Sequence, residues 1–238
     1  MLKAFIPKSI RLSIRVALKT TKDIFSGHWF HFARRKESNI SYNKKITISQ
    51  KLKPHPPKVH NIKNAIQYIE SIHVMPNEIF SFCRTIGKAS TAKGYIPSRS
   101  ISGSNIEEVI GGGICQLSGL IYYISLIGNL EIIERHNHSM DIYDEQSRFT
   151  PLGSDATIVY GYKDLRIKNN SQGPINFKFH IDEENLSIQL NHTDDFQNNI
   201  VEFETRNDNS EKIIIDTLVN GKLSCTSVYR KSAHKIGI

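Results

Sequence analysis

The stretch that organises the chain is Gly111-Gly112-Gly113-Ile114-Cys115-Gln116-Leu117-Ser118. It places a cysteine directly after three glycines and at the start of an apolar run, residues 117–127, which predicts a buried helix. The first N–H groups of a helix have no partner within it, and the helix dipole favours negative charge there, so a thiolate is stabilised at this position. Glycines also allow several N–H groups to converge on one ligand atom.

Two interpretations of this stretch stand side by side. In the first, Cys115 is a nucleophile and the backbone of Gly111, Gly112, Gly113 and Gln116 forms an oxyanion-binding or substrate-binding turn. In the second, the glycines serve packing and Cys115 is a small buried hydrophobic residue.

The next segments supply groups that thiol chemistry needs. Residues 130–139 read LEIIERHNHS, and residues 151–157 read PLGSDAT. Side chains alternate along a strand, so His136 and His138 are predicted to share one face. An imidazole is a base near neutral pH, and Asp155 could orient one of the two rings. We therefore predict a catalytic site of Cys115, His136, His138 and Asp155, with the choice of histidine left open.

Five segments in this order resemble the landmarks of the VanW family. They are NEIFSF (77–82), GGGICQLS (111–118), LEIIERHNHS (130–139), PLGSDAT (151–157) and VYGYKDLRIKNNS (159–171). The resemblance extends over about residues 59–175. Cys83 stands where the family usually has asparagine, and residues 140–149 are longer than the family's usual joint, which leaves the position of Asp155 open.

The resemblance implies a bacterial protein of the cell wall. Some members of the family act as L,D-transpeptidases, which join peptidoglycan stem peptides through the cysteine of the glycine block. The expected partners are therefore peptidoglycan stem peptides or their precursors, and the expected activity is that of a cysteine acyltransferase. Other members have no assigned activity, so a vancomycin-resistance accessory protein that binds such peptides or D-amino acids without catalysis is the alternative.

The net charge of +8 is concentrated at the N-terminus. Residues 1–36 contain nine Lys and Arg against one Asp, whereas the rest of the chain is neutral. If residues 8–25 form a helix between Pro7 and Gly27, basic residues occupy one face and apolar residues the other. The basic face would carry Lys8, Arg11, Arg15, Lys19 and Lys22, and the apolar face Ile10, Ile14, Ala17, Leu18, Ile24 and Phe25.

This helix has two possible positions. Followed by Trp29, Phe30 and Phe32, residues 1–33 are typical of a segment that lies on an anionic membrane surface. The helix could equally dock its apolar face on the domain. No apolar run reaches the length of about 20 residues that a spanning helix needs, and no cleavable signal peptide is evident. A membrane-associated, envelope or cytoplasmic location is therefore compatible with the sequence.

The pattern predicts an α+β fold with four parts. Residues 1–36 form the basic segment, 37–58 a linker with Pro54-His55-Pro56-Pro57, 59–192 the VanW-like domain, and 193–238 a C-terminal β-hairpin extension. A helix is predicted over residues 59–72 and a short strand over 79–82. A polar loop over 87–110 offers Tyr95 and Arg99 as substrate contacts, Arg99 because a guanidinium suits a peptide carboxylate.

The C-terminal half alternates as strands and is predicted to form a largely antiparallel sheet behind the site. These strands cover residues 157–162, 165–168, 175–181, 186–191, 200–205, 212–219 and 223–230, and Asn220-Gly221 indicates a hairpin.

Cofactor and nucleic-acid sites are not indicated. Three widely spaced cysteines argue against a disulfide framework, and no C-x-x-C pair supports structural zinc. Cys115, both histidines and Asp155 are nevertheless legitimate zinc ligands, so a zinc-dependent hydrolase is a further alternative. The neutral domain has no recognisable nucleic-acid-binding motif.

Overall fold

The computed structural model describes residues 7–34, 40–52, 55–102, 105–141, 150–193 and 197–231. Helices and mainly antiparallel sheets are combined in it, so the predicted α+β class is confirmed. The helices are α1 (Lys8–Phe25), α2 (His28–His31), α3 (Pro56–Ile69), α4 (Phe82–Ile86) and α5 (Cys115–Ile127). Of the residues 140–149 that lengthen the joint before Asp155, residues 142–149 lie outside the described parts.

Seven of the described strands precede residue 142. They are β1 (Lys44–Lys51), β2 (His73–Val74), β3 (Ile79–Ser81), β4 (Pro97–Ser102), β5 (Asn105–Ile110), β6 (Glu131–Glu134) and β7 (Met140–Asp141). The strands that follow are β8 (Arg166–Lys168), β9 (Ile175–Ile181), β10 (Asn185–His192), β11 (Val201–Asp208), β12 (Lys212–Val219) and β13 (Lys222–Lys231).

The described strands form three sheets and one hairpin. The sheets have the orders β1-β10-β9-β2, β3-β8-β6 and β11-β12-β13-β7, and β4 pairs with β5. Among the strands that the structure describes, β7 and β13 form the one parallel pair. Helix α5 packs against β1, β10 and β6, and buries Leu117, Leu120, Ile121 and Ile124 completely. Because α5 is apolar on nearly every side, it forms the centre of the core and fixes the position of its first residue, Cys115.

The glycine turn is held from the side by α3. Asn61 is fully buried, and its Nδ2 donates to the carbonyl oxygens of Ile96 (2.9 Å) and Gly112 (3.1 Å). Its Oδ1 accepts from the Ile96 N–H at 2.9 Å. This one amide therefore joins α3, the start of β4 and the turn that delivers Cys115.

Three local predictions are wrong. The linker predicted over residues 37–58 contains β1, whose residues pair with β10 along its full length, because Ile46 and Ile48 complete the face that covers the core. The polar loop over 87–110 contains the β4–β5 hairpin. The strand predicted over 157–162 is an irregular segment that ends in a turn closed by the Val159–Lys163 bridge.

Most of the C-terminal strand predictions are confirmed. Strands β9 and β12 have the predicted bounds, and Asn220 and Gly221 both have positive φ between β12 and β13, as a two-residue hairpin requires. The predicted C-terminal extension forms the three-stranded meander β11–β13, to which β7 adds an edge.

Helix α1 is confirmed over Lys8–Phe25, but it does not dock by its apolar face. Leu12 and Val16 lie against Gly161, and Asp23 is buried, whereas the side chains on the predicted apolar face are exposed. Of the aromatic residues after the helix, Phe32 belongs to the core and only Phe30 is largely exposed. None of the described helices is both long enough and apolar enough to span a bilayer.

We predict that Asn61→Ala destabilises the fold by roughly 2–4 kcal/mol, because it leaves the Ile96 N–H and the Gly112 carbonyl without partners in a buried place. The measurement is denaturant unfolding. Asn64→Ala is the matched control, since Asn64 lies in the same helix and makes a single exposed hydrogen bond to the Lys93 carbonyl. Equal losses in the two variants would contradict this role of Asn61.

Candidate active site

The glycine turn needs glycines because the backbone passes very close to its neighbours. A Cβ built on Gly112 would lie 2.2 Å from the Ser98 carbonyl oxygen, and one on Gly113 would lie 2.4 Å from the Lys58 side chain. Gly113 also has a φ of +95°, which L side chains rarely adopt. Larger side chains would therefore clash at these positions. The turn leads directly into α5, which begins at Cys115.

The turn leaves three adjacent N–H groups available. The N–H of Gly111 donates to the Ile96 carbonyl, that of Gly112 to Val109, and that of Gln116 to Gly113. In the described parts of the chain, the N–H groups of Gly113, Ile114 and Cys115 form no backbone hydrogen bond. Of the residues predicted to bind an oxyanion, Gly111, Gly112 and Gln116 therefore have N–H groups that are already engaged, whereas the Gly113 N–H has no backbone partner. The oxyanion site itself stays a prediction.

Cys115 is the first residue of α5 and is partly exposed. The His138 ring and the backbone N–H of Ile158 interact with its sulfur and lower the pKa of the thiol. An imidazole beside a cysteine at a helix start is the arrangement that the nucleophile interpretation requires.

His138 is oriented by Asp155. The Asp155 Oδ2 atom accepts from the His138 backbone N–H at 2.7 Å and contacts the ring Nδ1 at 2.5 Å. Because an ionised carboxylate can only accept, Nδ1 carries a proton, and the other ring nitrogen remains for Cys115. The side chains of His138 and Asp155 are 24% and 25% exposed, so both are mostly buried but not sealed from solvent.

Two residues that the sequence analysis missed hold Asp155. Arg135 donates to the Asp155 Oδ1 at 3.0 Å and to its backbone carbonyl at 2.7 Å, and Tyr229 donates its hydroxyl to the same Oδ1. The Arg135 side chain is only 7% exposed and also binds Ser227 on β13. Arg135 directly precedes His136, so its position in the sequence could have indicated a role in the site. Nothing in the sequence pointed to Tyr229.

A further contact joins α5 to the Asp155 segment. Ser118 donates its hydroxyl to the Ala156 carbonyl at 2.6 Å, and both residues are fully buried. Ser118 lies about one helical turn after Cys115. Its hydrogen bond therefore fixes the distance between the start of the helix and the segment that carries Asp155.

The electrostatics favour an ion pair between Cys115 and His138. Burial raises the pKa of the Cys115 thiol, but the hydrogen bond and positive charge of His138 outweigh it, so that the pKa is lowered. Burial lowers the pKa of His138, whereas hydrogen bonds with Asp155 and Cys115 raise it from 6.5 to about 10. The pKa of Asp155 falls to about 2 despite burial, because His138, Arg135 and Tyr229 stabilise the carboxylate.

Comparison with known sequences places this site in a family. The sequence model of the family described as "VanW like protein" matches residues 57–191, more than half of the chain, and includes Cys115, His138 and Asp155. The chain belongs to the VanW family. The resemblance in its five motifs is thereby confirmed.

Two relatives of this VanW-family chain match it over about half of its length. It is 34% identical over 116 residues to the uncharacterized protein YoaR of Bacillus subtilis. These 116 residues are 49% of this chain and 37% of YoaR. It is 30% identical over 133 residues to the vancomycin B-type resistance protein VanW of Enterococcus faecalis, 56% of this chain and 48% of the relative. The chain thus spans less than half the length of either relative. No solved structure matches it.

The remaining predicted site residues are placed elsewhere or only beside the site. Strand β6 ends at Glu134, so alternation does not continue to the histidines, and the His136 ring contacts Glu134 at 3.1 Å. Tyr95 is buried beneath Gly111, so the prediction that it contacts substrate is wrong. Arg99 is exposed on β4, where its role as a substrate contact stays a prediction. The Gln116 side chain donates to the Lys51 carbonyl at 3.3 Å.

The zinc alternative does not fit these residues. Both Asp155 oxygens are occupied by Arg135, Tyr229 and His138, and a neighbouring arginine disfavours a cation. Among the described residues, no group of three or more His, Cys, Asp and Glu side chains has an arrangement that could hold a metal ion.

We predict that Cys115 reacts with iodoacetamide at pH 6 at least about tenfold faster than Cys225, a half-buried thiol of the same protein. His138→Ala removes the positive charge that stabilises the thiolate, whereas the burial that raises the pKa of Cys115 remains. In this variant, alkylation of Cys115 should require a higher pH than alkylation of an ordinary thiol. The measurement is peptide mapping of each alkylated cysteine across pH. Equal rates for Cys115 and Cys225 at pH 6 would contradict the ion pair.

We also predict that Asp155→Asn lowers the Cys115 alkylation rate at pH 6 by about tenfold or more, because the imidazolium loses the carboxylate that stabilises it. Asp182→Asn, in the exposed turn between β9 and β10, is the matched control and should leave the rate unchanged. Circular dichroism separates this effect from unfolding. A folded Asp155→Asn protein with the original pH profile would contradict the positioning role of Asp155.

Proposed function

We propose that this VanW-family protein is a cysteine acyltransferase of the L,D-transpeptidase type, which acts on peptide stems of the bacterial cell wall. The observation that carries the proposal is the chain of contacts Cys115–His138–Asp155 at the partly exposed start of α5. A nucleophile, a base and a group that orients the base are the three elements of thiol-dependent acyl transfer.

In the first half of the reaction, the Cys115 thiolate attacks the carbonyl carbon of a peptide bond in the donor stem. The carbonyl electrons move to oxygen, and the N–H groups of Gly113, Ile114 and Cys115, which have no backbone partners, are the proposed donors to this oxyanion. When the carbon–nitrogen bond breaks, the imidazolium of His138 gives its proton to the departing amine. The product is a thioester on Cys115 and a neutral His138.

In the second half, an acceptor amine attacks the thioester. Neutral His138 takes the proton from the amine, the carbon–sulfur bond breaks, and the thiolate leaves with its electrons. The imidazolium and thiolate are thereby restored, and a new peptide bond joins donor and acceptor. Water in place of the amine gives hydrolysis by the same proton transfers.

The choice of substrate rests on the family. A relative named for vancomycin resistance, together with the motifs of the glycine block, directs the proposal to cell-wall peptides. Arg99 is the proposed contact for a peptide carboxylate, because it is exposed on the strand whose backbone touches Gly112.

We predict that purified protein incubated with tetrapeptide-bearing muropeptides forms a covalent adduct on Cys115, detectable by mass spectrometry of the intact protein and of its peptides. Cys115→Ala should abolish the adduct and any cross-linked product. Cys225→Ala, which removes the other half-buried thiol, is the matched control and should retain both.

Failure of the adduct to form would contradict the proposal, provided that the protein is folded and Cys115 is alkylated at low pH. Muropeptide binding that survives Cys115→Ser without any adduct would instead establish the non-catalytic accessory role. A bell-shaped rate against pH is expected for the enzyme. Its acid limb reports the lowered pKa of Cys115, and its alkaline limb reports the loss of the His138 proton near pH 10.

A further inference from the structure

Helix α1 is attached to the domain by charged side chains on its inner face. Asp23 forms a bidentate pair with Arg166, at 2.6 and 2.9 Å, and both side chains are less than 10% exposed. Lys19 donates to Glu134 at 2.8 Å, and Glu134 also pairs with Arg166 at 3.2 Å. This cluster joins α1 to β6 and β8, and so determines which side of the helix faces outward.

The outward side is apolar. Leu18 is 60% exposed and Phe25 is 87% exposed, and Phe30 on the following α2 is 75% exposed. Ile10, Ile14 and Ile24 are also exposed. At about 100° per residue, Ile10, Ile14, Leu18 and Phe25 lie opposite Leu12, Val16, Lys19 and Asp23, which face the domain. A soluble protein rarely displays such a row of large apolar side chains without a binding function.

Basic side chains border this apolar row along one side. Lys8, Arg15 and Lys22 are exposed, and Arg11 is partly exposed. Asp23 is the one acidic residue among residues 7–34, and Arg166 neutralises it in the interior. The solvent-facing part of the helix therefore presents apolar and positively charged groups together.

We propose that the outward face of α1, with Phe30, binds the surface of an anionic lipid bilayer. Apolar side chains enter the headgroup region, and the bordering lysines and arginines contact lipid phosphates. The occupant is a bilayer and not a second copy of the chain, because two copies of this face would bring basic borders together without acidic partners. This surface is separate from the chemistry of Cys115.

The helix lies along the membrane and does not cross it. Charged residues on its inner face are held by Arg166 and Glu134, and no described helix has the composition of a spanning segment. Binding in this manner would keep the VanW-family domain at the membrane surface.

The test is sedimentation of the full chain with vesicles. Vesicles of phosphatidylglycerol and phosphatidylcholine in equal parts should carry the protein into the pellet, whereas pure phosphatidylcholine should bind it at least about tenfold more weakly. Raising the salt from about 0.05 to 0.5 M should weaken binding to the anionic vesicles, because screening shortens the range of the charges.

Leu18→Glu should reduce binding to the anionic vesicles by at least about tenfold, since an exposed leucine leaves the bilayer and a negative charge enters. Leu223→Glu is the matched control: Leu223 is also 60% exposed but lies on β13, and its substitution should leave binding unchanged. Both positions are exposed, so both variants should fold, which thermal unfolding checks.

Replacing Lys8 and Lys22 together by glutamine should weaken binding by about tenfold, whereas the same change at Lys45 and Lys222 should not.

The proposal is overturned if the wild-type protein stays in the supernatant with anionic vesicles, or if Leu18→Glu binds as well as wild type. It is also overturned if the wild-type protein is a dimer and Leu18→Glu converts it to a monomer without changing vesicle binding. The face would then be covered by a second copy of the chain. Muropeptide adduct formation in solution is measured separately, and its failure would leave this result standing.

Discussion

The site depends on a single carboxylate, that of Asp155, and on the groups that donate to it. One oxygen accepts from Arg135 and Tyr229, and the other accepts from the backbone and the ring of His138. Four donors come from two separate parts of the chain, so the carboxylate fixes the position of the histidine segment relative to the C-terminal sheet. Because every acceptor position is engaged, Asp155 stays ionised, and an ionised Asp155 in turn determines the tautomer and charge of His138.

The charge of His138 decides the state of Cys115. Burial alone would favour a neutral thiol, and the imidazolium reverses this preference. The start of α5 adds N–H groups without backbone partners, and such groups favour nearby negative charge. The glycine turn therefore has two functions: it lets the backbone pass close to Ser98, and it leaves the donors of Gly113, Ile114 and Cys115 without backbone partners.

Local sequence patterns predicted the parts of the fold that local physics determines. The apolar run predicted α5, amphipathic spacing predicted α1, and alternation with Asn220-Gly221 predicted β12 and β13. Cys115, His138 and Asp155 were predicted from residue type, and the structure brings these three together. The partners of Asp155 required knowledge of tertiary contacts, because Tyr229 lies 74 residues further along the chain. Likewise, the outward apolar face of α1 follows from the pairing of Asp23 with Arg166, 143 residues away, which no periodicity reveals.

The central claim is that Cys115 and His138 form a thiolate–imidazolium pair at neutral pH. Nitrogen NMR of the His138 ring, assigned with the His138→Gln variant, measures this most directly. We expect both ring nitrogens to be protonated at pH 7 and the proton to be lost only near pH 10. A neutral ring at pH 7, titrating near the ordinary value of about 6.5, would contradict it.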